Sequence, residues 1–266
     1  MRLAFIGGGN MGRAMISAIL KEDLASSRDI VISDKNTDLL TQLRQDFNVY
    51  TTEDNFDAAS RGNIVVLAIK PQNLDEVMTD IKGKLNSSQL VLSIIAGRSI
   101  ATLQQGLAHY AIVRAMPNTP AHIGKGITVW TTSEGVTKEQ KKTAGAILKT
   151  MGKDIYVTDE NYIDMSTAIS GSGPAYVFLF MESLIDTAVD IGLPPDAAQQ
   201  LVLQTVAGSV EFAEKSDKGL AQLIQMVTSP GGTTAEALKV FKKGRFTELI
   251  KQVVTVTYKR AKELGG

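Results

Sequence analysis

"LAFIGGGNMGRAM", residues Leu3 to Met15, decides the fold. A short apolar run leads into glycines at positions 7, 9 and 12, spaced G-x-G-x-x-G, and then into an apolar pattern of helical period. A strand that ends in a glycine turn and opens a helix is the start of a dinucleotide-binding unit. Gly7 permits the tight turn, Gly9 lets a pyrophosphate approach the backbone, and Gly12 lets helix and strand pack closely. The helix N-terminus adds unpaired N–H groups and the positive end of its dipole. Ile6, Gly7, Gly8, Gly9, Asn10, Met11 and Gly12 are therefore the candidate phosphate cradle. A glycine turn kept only for packing is the alternative, but a second strand with a polar end follows in the expected order.

Outward from this stretch the chain has two grammars. Up to about Val157, short runs rich in Ile, Val and Leu ("LAFI", "IVIS", "IVVLAI", "LVLSII", "AIVRAM", "ITVW", "IYV") alternate with amphipathic segments. That pattern predicts a parallel sheet covered by helices. After about Asp159 the β-like runs stop. Helices are expected over "AYVFLFMESLIDTAVDIGL", "DAAQQLVLQTVAGSVEFAEK", a shorter stretch from about Leu220 to Val227, "AEALKVFKK" and "FTELIKQVVTVTYKRAKEL". The expected fold class is α/β: an N-terminal Rossmann-like dinucleotide-binding domain at 1–158 and a C-terminal all-helical domain at 159–266. Broad apolar faces on the first two of these helices predict packing against a second subunit, with an ordinary bundle core as the alternative.

The 266 residues are 44% hydrophobic and carry 28 basic and 28 acidic side chains. A balanced charge argues against a dedicated nucleic-acid or membrane-surface protein, so neither partner is expected. With no cysteine there are no disulfides, thiolate metal sites or cysteine nucleophiles. His109 and His122 read as surface or loop residues, and no metal is expected. Met1 runs directly into a short apolar segment unlike a signal-peptide core, and no run approaches a membrane helix of about eighteen apolar residues. The expected location is the cytoplasm.

The second strand ends in "VISDKNTD", where the adenosine ribose should lie. Asp34 there suits the two hydroxyls of NAD, whereas Ser33, Lys35 and Asn36 suit the 2′-phosphate of NADP. Lys35 could equally be a solvated loop lysine. From the residues alone the choice stays open, and NADPH is the expected donor with NADH as the alternative.

Three more segments, "AIKP" (Ala68–Pro71), "VRAMPNTP" (Val113–Pro120) and "SGSGPAYVF" (Ser170–Phe178), join "FIGGGNMG" and "SPGGTT" in a single order along the chain. Together they closely resemble the pyrroline-5-carboxylate reductase family over essentially the whole length. The resemblance implies hydride transfer from NADPH or NADH to 1-pyrroline-5-carboxylate, the last step of proline biosynthesis. It also implies a helical domain that interlocks with its twofold mate in a homodimer, with dimers able to associate further. It places the adenosine side near Ser33 and Asn55, and the nicotinamide side near Ala68, Ile69, Lys70, Pro71, Met116, Pro117 and Asn118. Stiffening of loops is the competing role for Pro71, Pro117 and Pro120.

A protonated imine is already electrophilic, so the protein has mainly to orient two rings and hold a carboxylate. This accounts for the lack of an obvious acid–base constellation. The rival within the enzymes is the β-hydroxyacid dehydrogenase group, which needs a general-base lysine in its helical half. The lysines here sit in polar or helix-end settings. A noncatalytic dinucleotide-responsive protein is the rival of another class, and it has no use for a second ligand pocket.

That second pocket is expected in "TSPGGTTAEAL", residues Thr228 to Leu238. Thr233 and Glu236 match a T-x-x-E capping box. Gly231 and Gly232 let the preceding backbone turn sharply. With Ser229 they form a candidate anion socket for the substrate carboxylate at a helix N-terminus. Thr234, not needed for the cap, is free to face the imine nitrogen, and the resemblance assigns it the same place. A plain interhelix turn with a good cap is the alternative.

Overall fold

The computed structural model describes residues 1–265. Eight strands form one sheet: β1 (Leu3–Ile6), β2 (Ile30–Ser33), β3 (Tyr50–Thr52), β4 (Ile64–Leu67), β5 (Leu90–Ser93), β6 (Ile112–Met116), β7 (Gly126–Thr132) and β8 (Gly152–Tyr156). Their order is β3-β2-β1-β4-β5-β6-β7-β8. The first six run parallel, β7 pairs antiparallel to β6, and β8 pairs parallel to β7. The expectation of a wholly parallel sheet is corrected at β7. Parallel pairing needs a long crossover, and 117–125 holds only a 3-10 turn (Thr119–Ile123).

The central strands alternate between two apolar layers, which is why they read as unbroken apolar runs. Leu3, Phe5, Ile30, Ile32, Ile64, Val66, Leu90 and Leu92 join one core, with side chains from α1 (Asn10–Lys21), α2 (Thr37–Phe47) and α6 (Lys138–Lys149). Ala4, Ile6, Val31, Val65, Leu67 and Val91 join the other, with α3 (Asn55–Arg61), α4 (Leu74–Ile81) and α5 (Ile100–Leu107). The sheet is thus a buried middle layer, and its polar strand ends are left free to build a site.

The chain divides into two compact units, Met1–Ser172 with Thr257–Gly266, and Gly173–Val256. This differs from a division at 158/159. The helix α7 (Asn161–Ser166) stays with the first unit because Arg114 of β6, 3% exposed, pairs with Glu160 at 2.8 Å and with Asp164 at 2.5 Å. Glu160 also accepts the Ile100 N–H at 2.8 Å. A π-helical turn (Thr167–Gly171) follows α7. The last turns of α12 (Phe246–Gly265) also belong to the first unit, where a Cβ on Gly97 would lie 2.6 Å from Leu264.

The second unit holds α8 (Gly173–Asp190), α9 (Pro195–Lys215), α10 (Leu220–Met226), α11 (Thr233–Lys243) and most of α12. No residue of α8 is buried, and Phe178 and Leu179 are 58% and 63% exposed. Among the described residues the helical run Asn161–Asp190 is long and apolar enough, by length and composition, to cross a membrane. No eighteen consecutive apolar residues lie within it, because Asp164, Glu182 and Asp186 and the small polar residues of "SGSGPA" interrupt the apolar side chains.

Candidate active site

The glycine loop has the shape its spacing requires. Gly7 stands at φ +98°, and a Cβ there would lie 2.7 Å from the Ala68 carbonyl. A Cβ on Gly12 would lie 2.6 Å from the Gly7 carbonyl, so only glycine lets α1 start so close to β1. Gly9 differs, because its Cβ direction opens onto free space. Gly9 is also the N-cap of α1 and supplies no side-chain cap, leaving the first-turn amides to another acceptor. Open space above uncapped helix amides fits a pyrophosphate. Ile6, 1% exposed, belongs to the core, and it supports the loop without facing it.

Two cavities flank this loop. One of about 480 Å³ brings together Gly9, Asn10, Met11, Ala68, Ile69 and Lys70 with Met116 and Pro117 from the end of β6. Ile94, just past β5, completes it, and sequence reading passed it over inside "LVLSII". This is a mostly apolar slot at the carboxyl ends of parallel strands, with the volume and polarity to receive a flat ring. Pro71 does not line it and instead starts a 3-10 turn (Pro71–Asn73). Nor is the Asn118 side chain available to a ligand. Its Nδ2 donates to the Ser170 carbonyl at 3.1 Å, and its Oδ1 accepts the Ile127 N–H at 2.9 Å. Its work is to tie the "MPNTP" loop to β7 and to the turn after α7.

The other cavity, about 80 Å³, is met by Ser33, Asp34, Lys35, Asn55, Asn73 and Glu76. Here the polar groups expected to face a 2′-phosphate are engaged within the protein. The Ser33 hydroxyl, fully buried, donates to Asn55 Oδ1 at 2.8 Å, and Asn55 Nδ2 donates to Asp80 at 2.8 Å. Asn36 caps α2 by accepting the Leu39 N–H at 3.0 Å. Lys35 forms an ion pair with Glu76. Asp34 turns toward the loop, accepting the Gly8 N–H at 2.8 Å and the Asn36 N–H at 3.0 Å. Apart from the Asn36 cap and the Asp34–Asn36 turn, these partners lie far apart in sequence, and no local pattern announces them. His109 is also corrected: it is 5% exposed, with Nε2 bonded to the Gln89 carbonyl at 2.8 Å.

In the second unit, "SPGGTT" forms a turn in which Gly231 stands at φ +72° and the Gly232 N–H donates to the Ser229 carbonyl at 3.0 Å. The N-cap of α11 is Gly232, not Thr233. The expected capping box does not form, because the glycine turn starts the helix one residue early and Glu236 pairs with Lys239 at 2.7 Å. Among the described residues, the N–H groups of Thr233, Thr234 and Ala235 have no capping side chain and no backbone acceptor. The uncapped start is therefore a better anion socket than a capped one. The Gly232 amide is spent inside the turn and is not part of it.

A glycine-rich cradle at the carboxyl ends of a parallel sheet, followed by a helical unit, defines an NAD(P)-dependent oxidoreductase of the Rossmann type. Residues 2–97 match the family model described as NADP oxidoreductase coenzyme F420-dependent, and residues 160–264 match the one described as pyrroline-5-carboxylate reductase dimerisation. The pyrroline-5-carboxylate reductase of Synechocystis sp. is 39% identical over 265 residues, covering 100% of this chain and 98% of the relative. The chain belongs to the pyrroline-5-carboxylate reductase family. Among solved structures, the reductase from Coxiella burnetii superposes with a TM-score of 0.89 at 37% identity, covering 100% of this chain and 98% of that one. The Plasmodium falciparum pyrroline carboxylate reductase with NADP bound superposes with a TM-score of 0.92 at 33% identity, with the same coverage.

Proposed function

We propose that this chain reduces 1-pyrroline-5-carboxylate to L-proline with NADPH as hydride donor, NADH serving as the alternative. The observation that carries the substrate side of this reading is the uncapped start of α11, where among the described residues the amides of Thr233, Thr234 and Ala235 have no capping side chain and no backbone acceptor.

The nicotinamide cofactor, when bound, supplies the hydride for the C=N carbon. The chain supplies position and charge. The amides that follow Gly9 hold the pyrophosphate, and Met11, Ala68, Ile69, Ile94, Met116 and Pro117 shield the ring slot from water. The amides of Thr233 to Ala235 hold the substrate carboxylate at the positive end of α11, with Ser229 and the Gly231–Gly232 turn shaping the socket. The Thr234 hydroxyl oxygen accepts a hydrogen bond from the N–H of the protonated ring nitrogen. It thereby favours the protonated imine, and one hydride at carbon and one proton at nitrogen give the secondary amine. Metal is not part of this scheme.

The donor is assigned to residues 1–158, and the substrate and dimer contacts to 159–266, a division supported by the dimerisation match from residue 160. The exposed apolar face of α8 lies inside that match and is the surface a second copy covers. Such dimers can associate further. The proposed location is the cytoplasm, in keeping with a soluble dinucleotide donor. Loss of reduced-cofactor absorbance on adding the imine, with L-proline as product, supports the reading. Gain of that absorbance from oxidised cofactor and a β-hydroxyacid, with no imine activity, would transfer the chain to the rival class.

A further inference from the structure

The adenosine side of the cradle carries a charged pair that neither the glycine motif nor the family segments contain. Lys35 follows β2, Glu76 sits in the first turn of α4, and the two side chains pair while 67% and 54% exposed. Both line the cavity of about 80 Å³, at its solvent rim. Lys35 is the only cation among the residues that line it. Asp34 is already committed to the Gly8 and Asn36 amides, and Ser33 to Asn55. A phosphate on a ribose seated in this cavity would find Lys35 as the cation of its lining, with the Glu76 carboxylate already paired to that ammonium.

We infer that Glu76 sets the preference between 2′-phosphorylated and 2′-hydroxyl dinucleotides by competing with the phosphate for Lys35. The inference rests on the dinucleotide reading of the cradle. Glu76 is a positioning residue here, acting through Lys35 and touching no reacting atom. A ribose bearing only hydroxyls makes no demand on the ammonium, so it is indifferent to the pair. A dianionic phosphate demands it strongly.

The test uses two fragments that bind without turnover, 2′,5′-ADP and AMP, titrated calorimetrically at low ionic strength into the full-length protein. Wild type, Glu76→Gln, Lys35→Ala and the double variant are compared. Glu76→Gln should tighten 2′,5′-ADP about fivefold, the scale of one exposed ion pair. AMP should change by less than about twofold, well inside one such interaction. In the Lys35→Ala background the same substitution should bring no gain, and added salt should erase the gain in the single variant. An equal gain for AMP, a gain that persists without Lys35, or unchanged affinity for 2′,5′-ADP would each overturn the inference. Failure of both fragments to bind wild type, or binding that NADPH does not displace, would overturn the cradle reading and the inference with it.

Discussion

The carboxylate of Asp34 accepts the backbone N–H of Gly8 at 2.8 Å, across the turn that joins β1 to α1. The acidic tip of the second strand therefore holds the glycine loop in shape, and its other oxygen takes the Asn36 N–H. An aspartate at this position, read alone, signals a 2′-hydroxyl cofactor. Turned inward, it is neutral on that question.

Replacing Asp34 by alanine should weaken NADPH and NADH together by about tenfold, the worth of one charge-assisted hydrogen bond. Dissociation constants from quenching or energy transfer at bound nicotinamide would measure this. A large change in the ratio of the two, with one affinity preserved, would mean that Asp34 reads the ribose directly.

Two glycines of the same motif should fail in different ways. Gly12→Ala forces a Cβ to 2.6 Å from the Gly7 carbonyl, and such overpacking costs about 1–3 kcal/mol in a packed site. Both melting temperature and cofactor affinity should fall. Gly9→Ala adds a methyl group to open space and loses only the N-cap preference for glycine, so the melting temperature should fall less than for Gly12→Ala while the KM for cofactor rises. A drop in stability for Gly9→Ala equal to that of Gly12→Ala would refute this division of roles.

The bare apolar surface of α8 predicts a dimer that persists at micromolar concentration. Phe178 and Leu179 are more than half exposed in the single chain, and a patch of this kind is normally covered. Phe178→Asp should shift light-scattering mass toward the monomer and reduce activity with it. A fully active wild-type monomer would remove the helical unit from the assembly.

What was legible in the sequence follows from how local each cause is. The runs of β1, β2, β4 and β5 are buried on both faces, so they stand out as apolar stretches bounded by polar ends. β3 went unseen because Tyr50–Thr52 is a short edge strand with little apolar content. The antiparallel turn of β7 is a matter of connection length, which apolar runs do not register. Thr233 and Glu236 carry the capping-box spacing, yet the left-handed Gly231 moves the helix start to Gly232 and leaves the motif unformed. The polar groups around the adenosine cavity misled for a further reason. Asn55–Asp80 and Lys35–Glu76 are contacts between elements, visible only once the sheet brings them together.

Thr234→Ala tests the account most directly. Thr233 caps nothing, so Thr233→Ala serves as the control and should leave the melting temperature unchanged. For Thr234→Ala, kcat/KM for 1-pyrroline-5-carboxylate should fall by roughly tenfold or more, the worth of one hydrogen bond to a charged group. Cofactor dissociation constant and melting temperature should stay at their wild-type values. A variant that reduces the imine with wild-type kcat/KM would contradict the assignment of the α11 socket to the substrate.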